Sequence, residues 1–163
     1  MKQEEINKFL DDHKLWLESK GEGGKQALLA GANLRGAFLK VANLSYANLA
    51  GAILYGANLK GASLKGANLE GANLIRAFFV GANMEGANLI RAFFVGANME
   101  GANLIGANLQ GANLQGANLK RAKFTTEIIN CHTFKNCQIA KDQLPWLALH
   151  PKFSEFYHTL KVY

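Results

Sequence analysis

The residues able to do chemistry in this 163-residue chain are few and poorly placed for it. Its histidines are His13, His132, His150 and His158, and its cysteines are Cys131 and Cys137. Cys131 beside His132 is an adjacency of nucleophile and base, but sequence neighbours on an extended segment point to opposite faces, so the imidazole is not placed to take the thiol's proton. Cys131 and Cys137 stand six apart, at different positions of the five-residue unit described below. That spacing reads as two packed thiols, neither a disulfide nor a metal site. The histidines read as cap packing or solvated side chains. Between residues 27 and 126 the acids are Glu70, Glu85 and Glu100 alone, with no pair arranged for general acid and base work. The 14 glycines of the repeats follow a period of five and carry no phosphate-loop pattern. No enzymatic activity, cofactor, metal or small-molecule substrate is implied.

The elements that must position these groups are set by repetition. Every fifth residue from Ala27 to Ala122 is alanine, and two places after each stands Leu, Phe or Met, which makes 20 consecutive pentapeptides. The exceptions to Leu are Phe79, Phe94, Phe124, Met84 and Met99. A fixed short period marks a solenoid and takes precedence over ordinary element assignment. On an α-helix a step of five turns about 140°, so the leucines would wander round the cylinder and build no stripe. On a flat strand the same step reverses the face at each repeat, although Ala and its partner two residues on share a face. The chain must therefore turn once per pentapeptide. Gly at the last position of 14 repeats and Asn between Ala and the large residue in 13 supply turn chemistry at a fixed offset. The expected class is all-β: short bridging segments joined by corners and wound into a β-solenoid. Small beside large on the inside lets layers stack without voids.

These residues resemble the pentapeptide-repeat family, whose pattern is A(N/D)LxG, over about residues 27 to 126. The resemblance implies a right-handed quadrilateral β-helix with four pentapeptides, or twenty residues, per coil. Ala and the central residue would point inward, and the residues flanking the central one would face out with the Gly position. Twenty repeats then make five coils, and a degenerate sixth is expected after them. Residues 70 to 84 recur identically at 85 to 99, a 15-residue duplication. Taken alone it suggests three sides. In a four-sided coil the copy lands three faces further round and keeps its phase, which is the reading adopted here.

Both ends of a solenoid need lids. Residues 1–26 are expected to form an N-terminal cap: Ile6, Phe9, Leu10, His13, Trp16 and Leu17 recur at helical spacing, and the stretch from Gly21 to Lys25 reads as a flexible link. Residues 27–126 form the repeat body. Over 127–144 Ile129, Phe134, Ile139 and Leu144 keep the phase while the Ala positions become Glu127, His132, Cys137 and Asp142, a degenerate final coil. Residues 145–163, with Pro145 and Pro151 suited to first helical turns, are expected to form short C-terminal helices. No apolar run approaches the length of a membrane span. The opening MKQEEINKFLDD lacks a basic region followed by an apolar run, so a cytoplasmic protein is expected.

The outer surface carries more information. Between Ala and the central residue, Asn gives way at Leu28, Phe38, Ile53, Ser63, Phe78, Phe93 and Lys123. With twenty residues per coil, Ile53 and Tyr55, then Ile75, then Phe93 and Val95 share one face, and Phe78 with Val80 lies round the corner past Arg76. Arg76 and Arg91 edge this apolar stripe. Such a patch marks a contact surface for a protein partner or a second copy of the chain, and its aromatic and Arg content suits an interface core. Some members of the family are similar to double-stranded DNA in shape and charge and protect DNA gyrase by binding it, a mimicry that requires an acidic rod. Here the net charge is +6, and Lys40, Lys60, Lys65, Arg76, Arg91, Lys120, Arg121 and Lys123 oppose three Glu. Mimicry of DNA and engagement of a topoisomerase are therefore the disfavoured alternative. Direct nucleic-acid binding is not expected either, because the basic residues are spread over several faces with no aromatics interleaved in a groove.

Overall fold

The computed structural model describes residues 1–124, 138–139 and 161–163. Within the repeats each pentapeptide closes the same corner. In one of them Ala57 N–H donates to Leu54 O at 3.0 Å around Gly56, whose φ is 64°. A positive φ confined to the third residue is the type II pattern, which explains the preference for glycine there. The flanking amides reach the neighbouring layers: Leu54 N–H donates to Asn73 O at 2.8 Å, and Asn58 N–H to Ala37 O at 2.9 Å.

The register is uniform. Parallel bridges join Leu28 to Asn48, Asn33 to Ile53, Phe38 to Asn58 and Asn43 to Ser63, and the same twenty-residue step continues to Asn98 with Asn118. A coil therefore takes four pentapeptides, not the three that the duplication alone suggests. The bridges form four columns, hence four walls, with two-residue strands only near the far end. There β1 (Asn103–Leu104) pairs in parallel with β2 (Lys123–Phe124). Asn118 bridges Gln138 in the same step, so β3 (Gln138–Ile139) extends the column, with Ile139 buried.

Inside, the repeated Ala and the large residue after it are buried together, from Ala27 and Leu29 to Leu119. Only Ala32, Ala42 and Phe124 are partly covered, and all three lie toward an end. Phe79 and Phe94 meet across the column with ring centroids 5.9 Å apart.

The first coil has no layer beneath it, and its outward-turned backbone groups would be left without partners. Helix α1 (Gln3–Glu18) and the residues flanking it supply them. Gln3 Nε2 donates to Phe38 O at 3.1 Å while Phe38 N–H donates to Gln3 Oε1 at 3.0 Å, so one side-chain amide stands in for the missing peptide. The terminal amine of Met1 donates to Asn33 O at 2.8 Å, and Gln26 Nε2 to Tyr46 O at 2.7 Å. His13, fully buried, accepts from Ala27 N–H at Nδ1 (3.1 Å) and lies 3.0 Å from Ser45 O through Nε2, which fixes the neutral Nε2–H tautomer. Burial lowers its pKa from the ordinary 6.5, against a smaller upward pull from the bond to Ser45.

Two details differ from the sequence reading. The stretch after α1 is packed, not loose: Lys25 N–H donates to Asp12 O at 3.1 Å, and Gly24 lies so close to the helix that a Cβ would come 2.3 Å from that same carbonyl. At the other end β4 (Lys161–Val162), expected to be part of a helical cap, lies parallel on β3, with Tyr163 N–H donating to Ile139 O at 3.1 Å. The open edge of β3 offers backbone partners that a helix could not use. The rest of the expected degenerate coil and C-terminal helices, including Cys131, His132, Cys137, Pro145, His150, Pro151 and His158, lies outside the described residues.

Candidate interaction face

The outward Asn of each repeat has a local task. Its Oδ1 accepts from the N–H two residues on: Lys60 to Asn58 at 3.2 Å, Glu70 to Asn68 at 3.1 Å, Ile90 to Asn88 at 3.2 Å. This satisfies an amide just before the corner that no neighbouring coil reaches. Where two Asn follow in one column they also bond each other, as Asn88 Nδ2 does to Asn68 Oδ1 (3.1 Å) and Asn103 Nδ2 to Asn83 Oδ1 (3.2 Å). Ile53, Phe78 and Phe93 have no oxygen to offer to the amides of Tyr55, Val80 and Val95. Their side chains are instead 36%, 49% and 46% exposed. The rod gives up a hydrogen bond at each and gains an apolar surface.

The twenty-residue register places five of the nine stripe residues on one wall: Ile53, Tyr55, Ile75, Phe93 and Val95. Arg91 stands at the corner entering that wall and Arg76 at the corner leaving it. Phe78 and Val80 are separate from them, on the next wall, where Phe78 bridges Asn58 and Asn98. Sequence reasoning missed Arg35, whose guanidinium lies 4.5 Å over the Tyr55 ring. The signal was available as the same twenty-residue step, counted back from Tyr55. Arg76 Nη1 donates to the other end of that residue, Tyr55 OH, at 3.2 Å. Of the further exposed apolar residues of the first coil, Phe38 lies in the Phe78 column with Val41 at the corner leaving that wall, and Leu28 stands on the Asn88 wall.

A depression of about 430 Å³ opens beside Arg76, lined by Tyr55, Ile75, Val95 and Gln115 and left open at the corner by Gly96 and Gly116. Its origin is the corner column itself, which passes from an Arg to two residues without side chains.

Most corners are glycines with φ near 65°, but Val41, Tyr46, Arg76, Arg91 and Arg121 hold the same conformation, at 53°, 62°, 56°, 55° and 58°. For an L-residue this costs about 1 to 2 kcal/mol. Several of these side chains fold over the glycine one coil further on. A Cβ at Gly66 would meet the Tyr46 ring at 2.7 Å, and one at Gly111 would meet Arg91 Cγ at 3.4 Å.

Charge is unevenly distributed over the walls. Glu100 shares the Phe78 wall with Lys40, Lys60 and Lys120. Glu85 lies on the third wall, 3.0 Å from Lys65, whose pKa it raises by hydrogen bond and by charge. Glu70 lies on the fourth, 3.5 Å from Asn88 Nδ2. Among the described residues the Ile53 wall bears no acid.

Residues 25–61, 52–91, 62–101 and 87–125 match the family model described as pentapeptide repeats. Among solved structures the chain is similar to a pentapeptide repeat protein from the Arabidopsis thaliana thylakoid lumen, 32% identical over 56% of this chain and 67% of that one, with a TM-score of 0.49. HetL, a pentapeptide repeat protein involved in heterocyst differentiation regulation in the cyanobacterium Nostoc, is 31% identical over 69% of this chain and 62% of its own, with a TM-score of 0.43. A pentapeptide repeat protein from the cyanobacterium Cyanothece is 41% identical over 54% of this chain and 63% of its own, with a TM-score of 0.32. The chain thus spans less than two thirds of the length of both cyanobacterial proteins. No curated protein matches.

Proposed function

The chain belongs to the pentapeptide-repeat family, and from that premise we propose that it is a rigid, non-enzymatic scaffold that presents its Ile53 wall to a protein partner or to a second copy of itself. The proposed body is a right-handed quadrilateral β-helix of five to six coils over residues 27–144, between an N-terminal cap (1–26) and a C-terminal cap (145–163), in a cytoplasmic setting. Uniform twenty-residue pairing supports the four-sided coil, and the filled interior leaves no room there for a substrate.

One observation carries the functional reading: Ile53 and Phe93 replace an Asn that would have bonded the backbone, and they stand exposed between Arg76 and Arg91 on a wall whose described residues include no acid. The Phe78 wall gives up the same bond at Phe38 and Phe78 but carries Glu100 and three lysines, so it is the pairing of the sacrifice with an acid-free, Arg-edged wall that suits a recognition surface. Mimicry of DNA is disfavoured by the same surface, because a rod of net positive charge does not present the field of a phosphate backbone. Among the described residues no helix is long and apolar enough to cross a membrane.

The test is the triple variant Ile53→Ser, Ile75→Ser, Phe93→Ser, compared with the unaltered chain in sedimentation and in affinity capture. The variant is expected to keep its melting transition and to lose the self-association or the captured partner. Identical profiles for the two proteins would remove the Ile53 wall from consideration.

A further inference from the structure

Building on the Ile53 wall as a contact surface, we infer that its partner is an acidic peptide segment: an extended stretch whose apolar side chains seat on Ile53, Ile75 and Val95 and whose carboxylates pair with Arg76 and Arg91. Charge complementarity is the first ground. Arg35, Arg76 and Arg91 line or border the wall, while Glu70, Glu85 and Glu100 stand one to each of the other three walls. No acid shares that wall with the arginines, so an incoming carboxylate there meets cationic partners and no carboxylate of the same wall.

Geometry is the second ground. A guanidinium carries five N–H donors in a planar fork suited to carboxylates. One of those of Arg76 is directed at Tyr55 OH, 3.2 Å away, which anchors the group at the rim of the depression floored by Ile75 and Val95. An acidic side chain on Arg76 would thus place its apolar neighbour over an apolar floor.

The backbone is the third ground. Arg76 and Arg91 hold φ values of 56° and 55° in corner columns otherwise occupied by Gly56, Gly96, Gly71 and Gly111. Glycine takes that conformation freely, so the fold has no need of arginine there. Val41, Tyr46 and Arg121 hold the same conformation, so it marks Arg76 and Arg91 for a task only together with their place at the two edges of the Ile53 wall. Arg121 shares the conformation but stands between Lys120 and Lys123, at a corner that does not border the Ile53 wall, and serves as an internal control.

The same observations decide against two other occupants. Single-stranded nucleic acid stacks its bases on open aromatic faces. Here Arg35 already covers Tyr55, Phe93 is a single open ring with Ile75 and Val95 beside it and so gives no run of stacking platforms, and the lysines that would follow a phosphate backbone lie on other walls. A second copy docked wall to wall would bring together two Arg-edged walls with no acid on either.

The experiment uses the full chain and fluorescein-labelled dodecapeptides read by anisotropy: one alternating Glu and Asp with Leu and Phe, one with Ser in place of the apolar residues, one with Lys in place of the acids, and a labelled oligothymidine. The alternating acidic peptide is expected to bind about tenfold more tightly than each of the other three, and less tightly at raised salt. The double variant Arg76→Gly, Arg91→Gly should weaken it about tenfold with a melting temperature unchanged or raised, since glycine relieves the corner; Arg121→Gly should leave binding unchanged. Equal affinity for all peptides, tighter binding of oligothymidine, or equal loss in Arg121→Gly would overturn the assignment. If the triple Ser variant loses its native partner while the double Gly variant keeps it, the contact surface stands and the acidic partner does not. If neither variant loses it, both fall.

Discussion

The Ile53 wall and the Asn88 wall both have large apolar residues behind them and differ in what stands in front. Behind the first lie Leu54, Leu74 and Phe94, behind the second Leu49, Leu69 and Leu89, all with no exposed surface. In front, Asn48, Asn68, Asn88 and Asn108 each accept a backbone amide, from Ala50, Glu70, Ile90 and Gln110, so above Leu28 of the first coil the Asn88 wall is stitched at every layer. On the Ile53 wall that bond is made by Asn33, Asn73 and Asn113 and is absent at Ile53 and Phe93 between them. The fold is thus specified from within, and the exterior position is free to vary for the loss of one modest hydrogen bond. Recognition can be written on such a wall without disturbing the column that supports it.

If the interior is indifferent to what stands outside, one charge should be equally disruptive behind either wall. Leu69→Asp and Leu74→Asp each bury an unpaired carboxylate, at a penalty of several kcal/mol. Both are expected to abolish the cooperative thermal transition seen by circular dichroism. Survival of one but not the other would mean that the two walls rest on unequal cores.

A smaller effect separates the walls themselves. Asn88→Ala removes the acceptor for Ile90 N–H and the bonds from Nδ2 to Asn68 and, at 3.5 Å, to Glu70, whereas Asn73→Ala removes only the acceptor for Ile75 N–H. The first should lower stability by about 1 kcal/mol or slightly more and the second by about half as much, a difference of a few degrees or less in melting temperature. Equal losses would show that the Asn ladder adds nothing to the local turn bond.

The sequence shows the inside of this molecule more plainly than its outside, for a physical reason. Ala and Leu recur at a period that only one kind of winding can bury, so their inward direction follows from the chain alone. Which outer residues become neighbours depends instead on the coil length. Here the duplication at 70–84 and 85–99 suggests fifteen residues and the bridges give twenty. The wall formed by Ile53, Tyr55, Ile75, Phe93 and Val95 was legible only with the coil length that the family resemblance implies, and Arg35 was overlooked on it. The ends were still less legible. That Gln3 would replace a peptide, that His13 would bridge Ala27 and Ser45, or that Gly24 would press on α1 depends on contacts between segments, which no local pattern encodes.

Restoring the missing stitch gives the finest test. Phe93→Asn would supply an Oδ1 to Val95 N–H and set an amide between Asn73 and Asn113, where side chains of one type could bond along the column as Asn68 and Asn88 do. Phe93 is 46% exposed, so removing its ring forfeits only part of the stabilisation that a buried ring contributes. The two effects are of similar size and opposite sign, and the melting temperature should stay within about 2 degrees of the parent. A fall of about 2 kcal/mol or more would make Phe93 a structural residue, and the contrast between the walls would then reflect packing alone. An unchanged or raised melting temperature, with binding at the Ile53 wall lost, is the expected result. Stability unaffected by losing the ring, and function dependent on it, would separate the side chain that the rod needs from the one that its partner needs.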